Sequence, residues 1–382
     1  MRDAVILESI RTPFGKRGKA LHDTHPVDLL GHLLSALVTR VAIEPDQIDD
    51  VLIGCVSQTG EQSANIARNA WLSAGLPESV PGTTLDRQCG SSLQALHFAA
   101  QGVMADAYDL VIAGGVESMT RVPLGSTFTG VPGVPLTQNL SRRYALPKGW
   151  FDQARGAEMI AQQWGFTRED LDRFSLESHR RAAAANFTDE IVPVPTDSQM
   201  VTSDEGIRSD TSLEQMASLP PAFPGLELIT AGNASQISDG ASATFIASRE
   251  MADRLGLRPR ARLVSFAVVG VDPVTMLIGP IPATHKVLER AGLVIDDIDL
   301  FEINEAFASV VLAWQHDLGV SWNHVNVNGG AIALGHPVGA TGTRLIATLL
   351  HELERREGRY GLIAICEGGG MANGTIIERL TR

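Results

Sequence analysis

Cysteine is scarce in this chain, and its three copies, Cys55, Cys89 and Cys366, are too few and too widely spaced for a disulfide framework or a zinc site. Any special role for them must come from thiol chemistry. Long apolar runs are missing too: no stretch approaches the roughly 20 apolar residues that a membrane helix needs. The N-terminal MRDAVILESIRTPFGKRGKA has one short apolar run broken by Glu8, which fits neither a signal peptide nor a transit peptide. A cytoplasmic protein is the expectation. Positive charge is in deficit, with a formal net charge of −13, and this opposes general attraction to nucleic acid or an anionic membrane. Neither is expected as a partner, and an anionic ligand would need local arginines. With no polar low-complexity tract, the 382 residues have the composition of a globular protein with a large core.

What the chain does contain is a repeat. Asp46-Gln47-Ile48-Asp49 followed by Asp50–Ile53 resembles Asp296-Asp297-Ile298-Asp299 followed by Leu300–Ile303, at an offset of 250 (296 − 46). Leu110–Ala113 leads through glycines to Met119, and Leu362–Ile365 leads through glycines to Met371, at an offset of 252 (371 − 119). Each half alternates short β-branched runs with helical stretches such as Ser92–Ala105 and Thr341–Glu354, the pattern of parallel strands with crossover helices. Two similar α/β halves of βαβαβ type, packed face to face, are therefore expected. The expected division is 1–120 plus about 245–258 for the first half and 259–382 for the second. Residues 121–244 have no counterpart and read as an inserted loop domain that covers a site. The insertion is rich in Pro, Gly, Ser and Thr up to Trp150, then carries a helical patch from Gln153 to Ala185.

Cys89 lies between a short strand and an alanine-rich helix, where helix N–H groups and the dipole favour a thiolate. The alternative is a small buried hydrophobe, the commoner fate of a free cysteine. His336 occupies a glycine-rich turn in the second half, 38 residues past Ile298 (336 − 298), as Cys89 lies 41 past Ile48 (89 − 48). Related by the repeat, the two turns can face each other, and a base can then activate the thiol. The glycines around His336 also suit a phosphate loop or plain close packing, although no Gly-Lys-Ser/Thr follows them. Cys366, in Cys366-Glu367-Gly368, ends a strand where parallel sheets present functional groups, and can act as an acid or base. Asn304 also follows a strand; it can orient a water or an oxyanion, or simply cap the next helix.

Together these segments resemble the thiolases over essentially the whole chain. Cys89 in Cys-Gly-Ser-Ser-Leu-Gln-Ala is similar to that family's acylated nucleophile. Asn304 in Asn-Glu-Ala-Phe, His336 in Gly-His-Pro-Val-Gly and Cys366 in Cys-Glu-Gly resemble its three other catalytic motifs. The resemblance implies a thiolase fold and an acetyl-CoA C-acyltransferase, with one oxyanion hole from His336 and an Asn304-held water and another from the N–H groups of Cys89 and Gly368. It also implies coenzyme A and acyl-CoA as substrates, no permanently bound cofactor or metal, and a homodimer or homotetramer. Thr230–Ser235 resembles the loop whose serine, here Ser235, contacts pantetheine. Arg208, ahead of Thr211-Ser212-Leu213, stands where the family places an arginine near the nucleotide, and Phe223 is counted among the coenzyme A contacts.

Two features depart from the family. Ser92 replaces a common glycine, which implies an effect on helix packing. Arg155-Gly156-Ala157-Glu158-Met159 stands where many short-chain biosynthetic members carry a histidine–methionine pair, which argues against acetoacetyl-CoA as the specific substrate. Gly54–Gln58 and Leu350–Arg355 look more like actinobacterial degradative thiolases. A ketoacyl synthase is the nearest enzymatic rival, but Cys366 departs from its Cys-His-His or Cys-His-Asn set. A silent lipid-binding relative would lack motifs that are intact here.

Overall fold

The computed structural model describes residues 2–146 and 151–381, so the expected end of the Pro- and Gly-rich stretch at Trp150 lies outside the described residues. In the first half the strands come in the chain order Ala4–Arg11, Asp50–Gly54, Gly82–Leu85, Leu110–Ser118 and Ser238–Ser248. Across the sheet they lie third, second, fourth, fifth, first. The second half repeats this order with Leu300–Ile303, Tyr360–Glu367, Met371–Arg379 and Ala261–Gly270, and a parallel bridge from Phe301 to Val325 stands where the third strand would be. In each half the second and fourth strands pair parallel, and the fourth and fifth antiparallel.

The halves are joined edge to edge as well as face to face. Their first strands pair at Val5–Arg262 and Ile6–Ala261, closing one ten-stranded sheet that includes the short Gly15–Lys16 strand. Helix Pro26–Val41 covers the outer face of the first half, and Pro280–Ala291 covers that of the second. Pro26–Val41 is amphipathic, burying Leu29, Leu30, Leu33, Leu34, Leu37 and Val38, so it needs one apolar stripe only.

Two other helices, Ser91–Met104 and Thr341–Arg355, lie between the halves and are buried nearly all round. Small residues let them approach. A β-carbon at Gly342 would lie 2.6 Å from Leu93 Cβ and 2.8 Å from its Cα, so nothing larger than glycine fits without parting the helices. Ser92, the departure from the common glycine, accepts a hydrogen bond from the Thr343 N–H at 3.1 Å, adding a polar tie across the pair.

The insertion differs in detail from the expectation. The helical patch is two helices, Gln153–Trp164 and Arg168–Ala184. Gly165, in the left-handed region at φ 73°, closes the first, and a reciprocal Thr167–Asp170 cap opens the second. The sheet receives the chain again at Ser238, ahead of the boundary expected near 245. That Ser-, Gly- and Ala-rich strand is buried throughout because it runs between Ala4–Arg11 and Leu110–Ser118.

Gly342→Ala tests the helix contact. In an exposed helix this change adds about 1 kcal/mol of stability; here overpacking should cost about 1–3 kcal/mol and give a net loss. Equilibrium denaturation of the variant should show a lower midpoint, and an unchanged or raised midpoint would show that the helices do not meet at Gly342.

Candidate active site

Cys89 sits in a sharp turn between Gly82–Leu85 and Ser91–Met104. Gln88, just before it, holds φ 50°, a left-handed conformation rare for a residue with a side chain. The turn supports this with local bonds: the Asp86 carboxylate accepts from Gln88 N at 2.6 Å, and Ser91 Oγ accepts from Arg87 N at 2.9 Å. Gly90 follows because the Glu367 carboxyl fills the space a β-carbon would need. The tip of the cysteine turn thus packs directly on the Cys366-Glu367-Gly368 segment.

His336 enters from the second half through the turn before Thr341–Arg355. Its Nδ1 is 2.6 Å from Thr341 Oγ1, and that hydroxyl donates to Pro337 O at 2.9 Å. With its proton committed to Pro337, Thr341 can only accept from the imidazole, so Nδ1 carries the hydrogen and Nε2 keeps its lone pair. Asn304 Nδ2 approaches Nε2 at 3.5 Å, and Asn304 Oδ1 is buried without a hydrogen-bond partner. Asn304 does not cap the following helix; that helix begins at Ala308 with Phe307 before it. Burial, aided by Arg344, pushes the His336 pKa down to about 3, so the ring is neutral and able to accept a proton.

Burial dominates the thiols too. It pushes the Cys89 pKa up to about 12, with the nearby Glu367 adding to the rise, while the N–H groups of Gly368 and Cys89 itself work the other way. The expected stabilisation of a thiolate by the helix start is therefore outweighed, because the sulfur sits ahead of the helix in a dry site. Those two N–H groups nonetheless converge on the sulfur. Cys366, fully buried, is raised well above the usual thiol range by burial and then by Cys89, which places the two sulfurs within reach of each other's charge. Cys55 is buried, its thiol 4.0 Å from the Glu117 carboxylate, and belongs to the structural core.

Of the segments expected to meet coenzyme A, the Thr230–Ser235 loop adjoins the Asn304 segment. Ser235 N donates to Ala306 O at 2.9 Å and Ala308 N to Asn233 O at 2.9 Å, tying the Thr230–Ser235 loop to the Asn304 motif. Arg208 N donates to His179 Nδ1 at 3.1 Å, and the Arg208 guanidinium forms no ion pair among the described residues. Phe223 is an exposed aromatic.

Against this geometry, the chain matches the family model described as "Thiolase, N-terminal domain" over residues 4–250 and "Thiolase, C-terminal domain" over 257–379. The chain belongs to the thiolase family. It is 50% identical over 388 residues to the steroid 3-ketoacyl-CoA thiolase FadA6 of Mycobacterium tuberculosis, covering 100% of this chain and 95% of that one. With a 3-ketoacyl-CoA thiolase of Bacillus subtilis it shares 43% over 396 residues, covering 99% and 100%. Its fold superposes on the crystal structure of the Bacillus anthracis acetyl-CoA acetyltransferase with a TM-score of 0.90 at 38% identity, covering 100% and 99%. The chain is accordingly an acyltransferase with the thiolase fold.

Several residues that hold this thiolase site together carry no signal in the sequence. Glu117 accepts from Val56 N at 2.9 Å, Ser57 N at 3.0 Å, Gln62 Nε2 at 2.8 Å and Gly339 N at 3.1 Å, fixing the histidine turn of one half to the other. The Gln236 side-chain amide donates to Gly206 O and Ile332 O, each at 2.8 Å, while its backbone carbonyl accepts from His336 N at 3.1 Å. Glu158 accepts from three successive N–H groups, Glu227 at 3.0 Å, Leu228 at 3.0 Å and Ile229 at 3.0 Å, steadying the approach to Thr230. Their partners lie far away along the chain, so no local pattern announces them.

Thr341→Val keeps the shape and removes the acceptor that fixes the imidazole tautomer. Turnover should fall by about tenfold to a hundredfold, part of what general base catalysis contributes. Stopped-flow acylation of Cys89 is the measurement, and an unchanged rate would remove Thr341 from the base.

Proposed function

We propose that this thiolase reversibly cleaves a 3-ketoacyl-CoA with coenzyme A to acetyl-CoA and a shortened acyl-CoA, through an acyl group carried on Cys89. The observation that carries this reading is a pair of buried thiols, Cys89 and Cys366, close enough to feel each other's charge, together with a neutral His336 whose unprotonated Nε2 faces Asn304 in the turn equivalent to that of Cys89. His336 takes the Cys89 proton, and the sulfur attacks the 3-keto carbon. The bond between C2 and C3 then breaks, its electron pair staying on C2. Cys366 gives that carbon a proton and releases acetyl-CoA. In the second half, coenzyme A loses its thiol proton to Cys366 and attacks the acyl-cysteine, and His336 returns a proton to the departing Cys89 sulfur.

Negative charge develops twice, and the N–H groups of Cys89 and Gly368 suit the acyl oxygen in both steps. His336 Nε2 and Asn304 suit the thioester oxygen of the leaving enolate, the asparagine through a water. Arg208 supplies a half-buried, unpaired cation for the nucleotide phosphates of a substrate that an acidic protein would otherwise repel. Ser235 and Phe223 border the path of the pantetheine arm and adenine. The protein holds no cofactor permanently in this reading, and it acts in the cytoplasm as a homodimer or homotetramer. The edge strand Gly82–Leu85, paired on one side only among the described residues, and the exposed Phe98 on the helix Ser91–Met104 support self-association. No described helix is long and apolar enough to cross a membrane.

Coenzyme A-dependent loss of 3-ketoacyl-CoA absorbance should be observed, with the best chain length set by a panel running from four carbons to a steroid side chain. Mass spectrometry after brief exposure to acyl-CoA should place the acyl group on Cys89; modification of Cys55 or Cys366 with Cys89 untouched would overturn the assignment.

Arg208→Ala should raise the Michaelis constant for coenzyme A about tenfold, the scale of one charged hydrogen bond, with a smaller effect on turnover. The defect should shrink with pantetheine thioesters, which lack the nucleotide phosphates. An equal defect with both would show that Arg208 acts through loop order.

A further inference from the structure

We propose that Glu367 is kept as a neutral carboxylic acid beside the reacting groups, and that losing its proton shuts the site down by opposing every negative charge the cycle must form. The inference rests on the roles given above to Cys89 and Cys366. Glu367 ends the strand Tyr360–Glu367, between one catalytic thiol and the N–H of Gly368. It is fully buried, and neither of its carboxyl oxygens has a hydrogen-bond partner. Its carboxyl lies against Gly90, immediately beneath the nucleophile's turn, where a β-carbon would collide with it. A carboxylate buried without donors is among the costliest arrangements in a protein, whereas the protonated acid in the same place is tolerated.

The surroundings do not supply a counter-charge. Arg87 favours the ionised form from a distance, but its Nη1 is turned to Met371 Sδ at 3.7 Å and makes no ion pair with Glu367. Asp86, on the same turn, opposes ionisation. The remaining titratable neighbours are the thiols themselves, and Glu367 pushes up the pKa of both. Burial, first among these causes, raises Glu367 to about 9. Once ionised, a carboxylate packed against Gly90, the residue next to Cys89, holds the Cys89 proton in place by like charge. The same charge stands beside the Gly368 N–H and opposes an oxyanion there. At neutral pH the acid is uncharged and none of this operates.

Glu367→Gln copies the neutral form. It should turn over near the wild-type rate at pH 7.5, and above pH 9, where the wild type should lose activity, it should keep it. Iodoacetamide labelling of Cys89, followed peptide by peptide by mass spectrometry, reads the thiol without catalysis. At about pH 10 the variant should label about tenfold faster, the effect of one unit in thiol pKa. Glu367→Met, also uncharged, should give the same result and serves if the glutamine variant does not fold. Labelling profiles equal to wild type, or a folded uncharged variant that is inactive at pH 7.5, would overturn the proposal. If acyl-CoA fails to acylate Cys89 in the wild type, it is the catalytic reading that falls, while the labelling shift still reports on Glu367.

Discussion

Ser91–Met104 and Thr341–Arg355 run against each other at a separation set by Gly342, whose missing β-carbon leaves room for the Leu93 backbone. Each helix is introduced by a turn that carries one candidate catalytic residue, Cys89 for the first and His336 for the second. Because the helices come from opposite halves, the contact that buries apolar surface between the halves also fixes how these two turns stand to each other. Any change that widens the helix pair therefore costs packing and shifts both turns.

Buried charge serves position more than stability here. Arg11, at the end of the first strand, donates to Glu190 at 2.5 Å and to both oxygens of Asp204, at 2.6 and 2.9 Å, and so fastens the insertion to the sheet. Phe14 and Phe187 cover its guanidinium at 5.4 and 5.0 Å. Such a pair gains little over a well-packed apolar cluster, but its directional bonds allow only one placement of the segment that leads to Arg208. Glu117 does the same between the halves with four donors converging on one carboxylate. In both cases the carboxyl acts as a pin, and at Arg11 removing one partner would leave the other charge buried and uncompensated.

The duplication, the strand-to-helix position of Cys89 and the matching place of His336 were legible in the sequence because each is a local pattern repeated at nearly one offset. Ser238–Ser248 was not legible over its first residues: Ser-Asp-Gly-Ala reads as loop, and only its place inside the sheet makes a buried strand of it. Asn304 reads equally as a helix cap until the helix is seen to start at Ala308. The expectation of a ready thiolate failed for a different reason. Position at a helix start can be read from a sequence, whereas the depth of burial that outweighs it is a property of the assembled halves. Glu117, Gln236 and Glu158 escape sequence reading altogether, since a carboxylate or amide acquires its meaning from N–H groups supplied by distant segments.

Burial also explains why this site needs so many ionisable groups held neutral. In a dry pocket a standing thiolate and imidazolium would each lose hydration, and the structure keeps Cys89, Cys366 and His336 uncharged at rest. In the proposed cycle charge is created only as the reaction proceeds, beside the N–H groups of Cys89 and Gly368. Low dielectric strengthens those fixed dipoles at the moment they are needed, without reorganisation. The same low dielectric magnifies any unwanted anion, so a buried carboxyl such as Glu367 is compatible with thiol chemistry only while it keeps its proton. Desolvation thus sets two conditions together: each charge that forms must be matched by a proton transfer, and the acids that do not take part must remain acids.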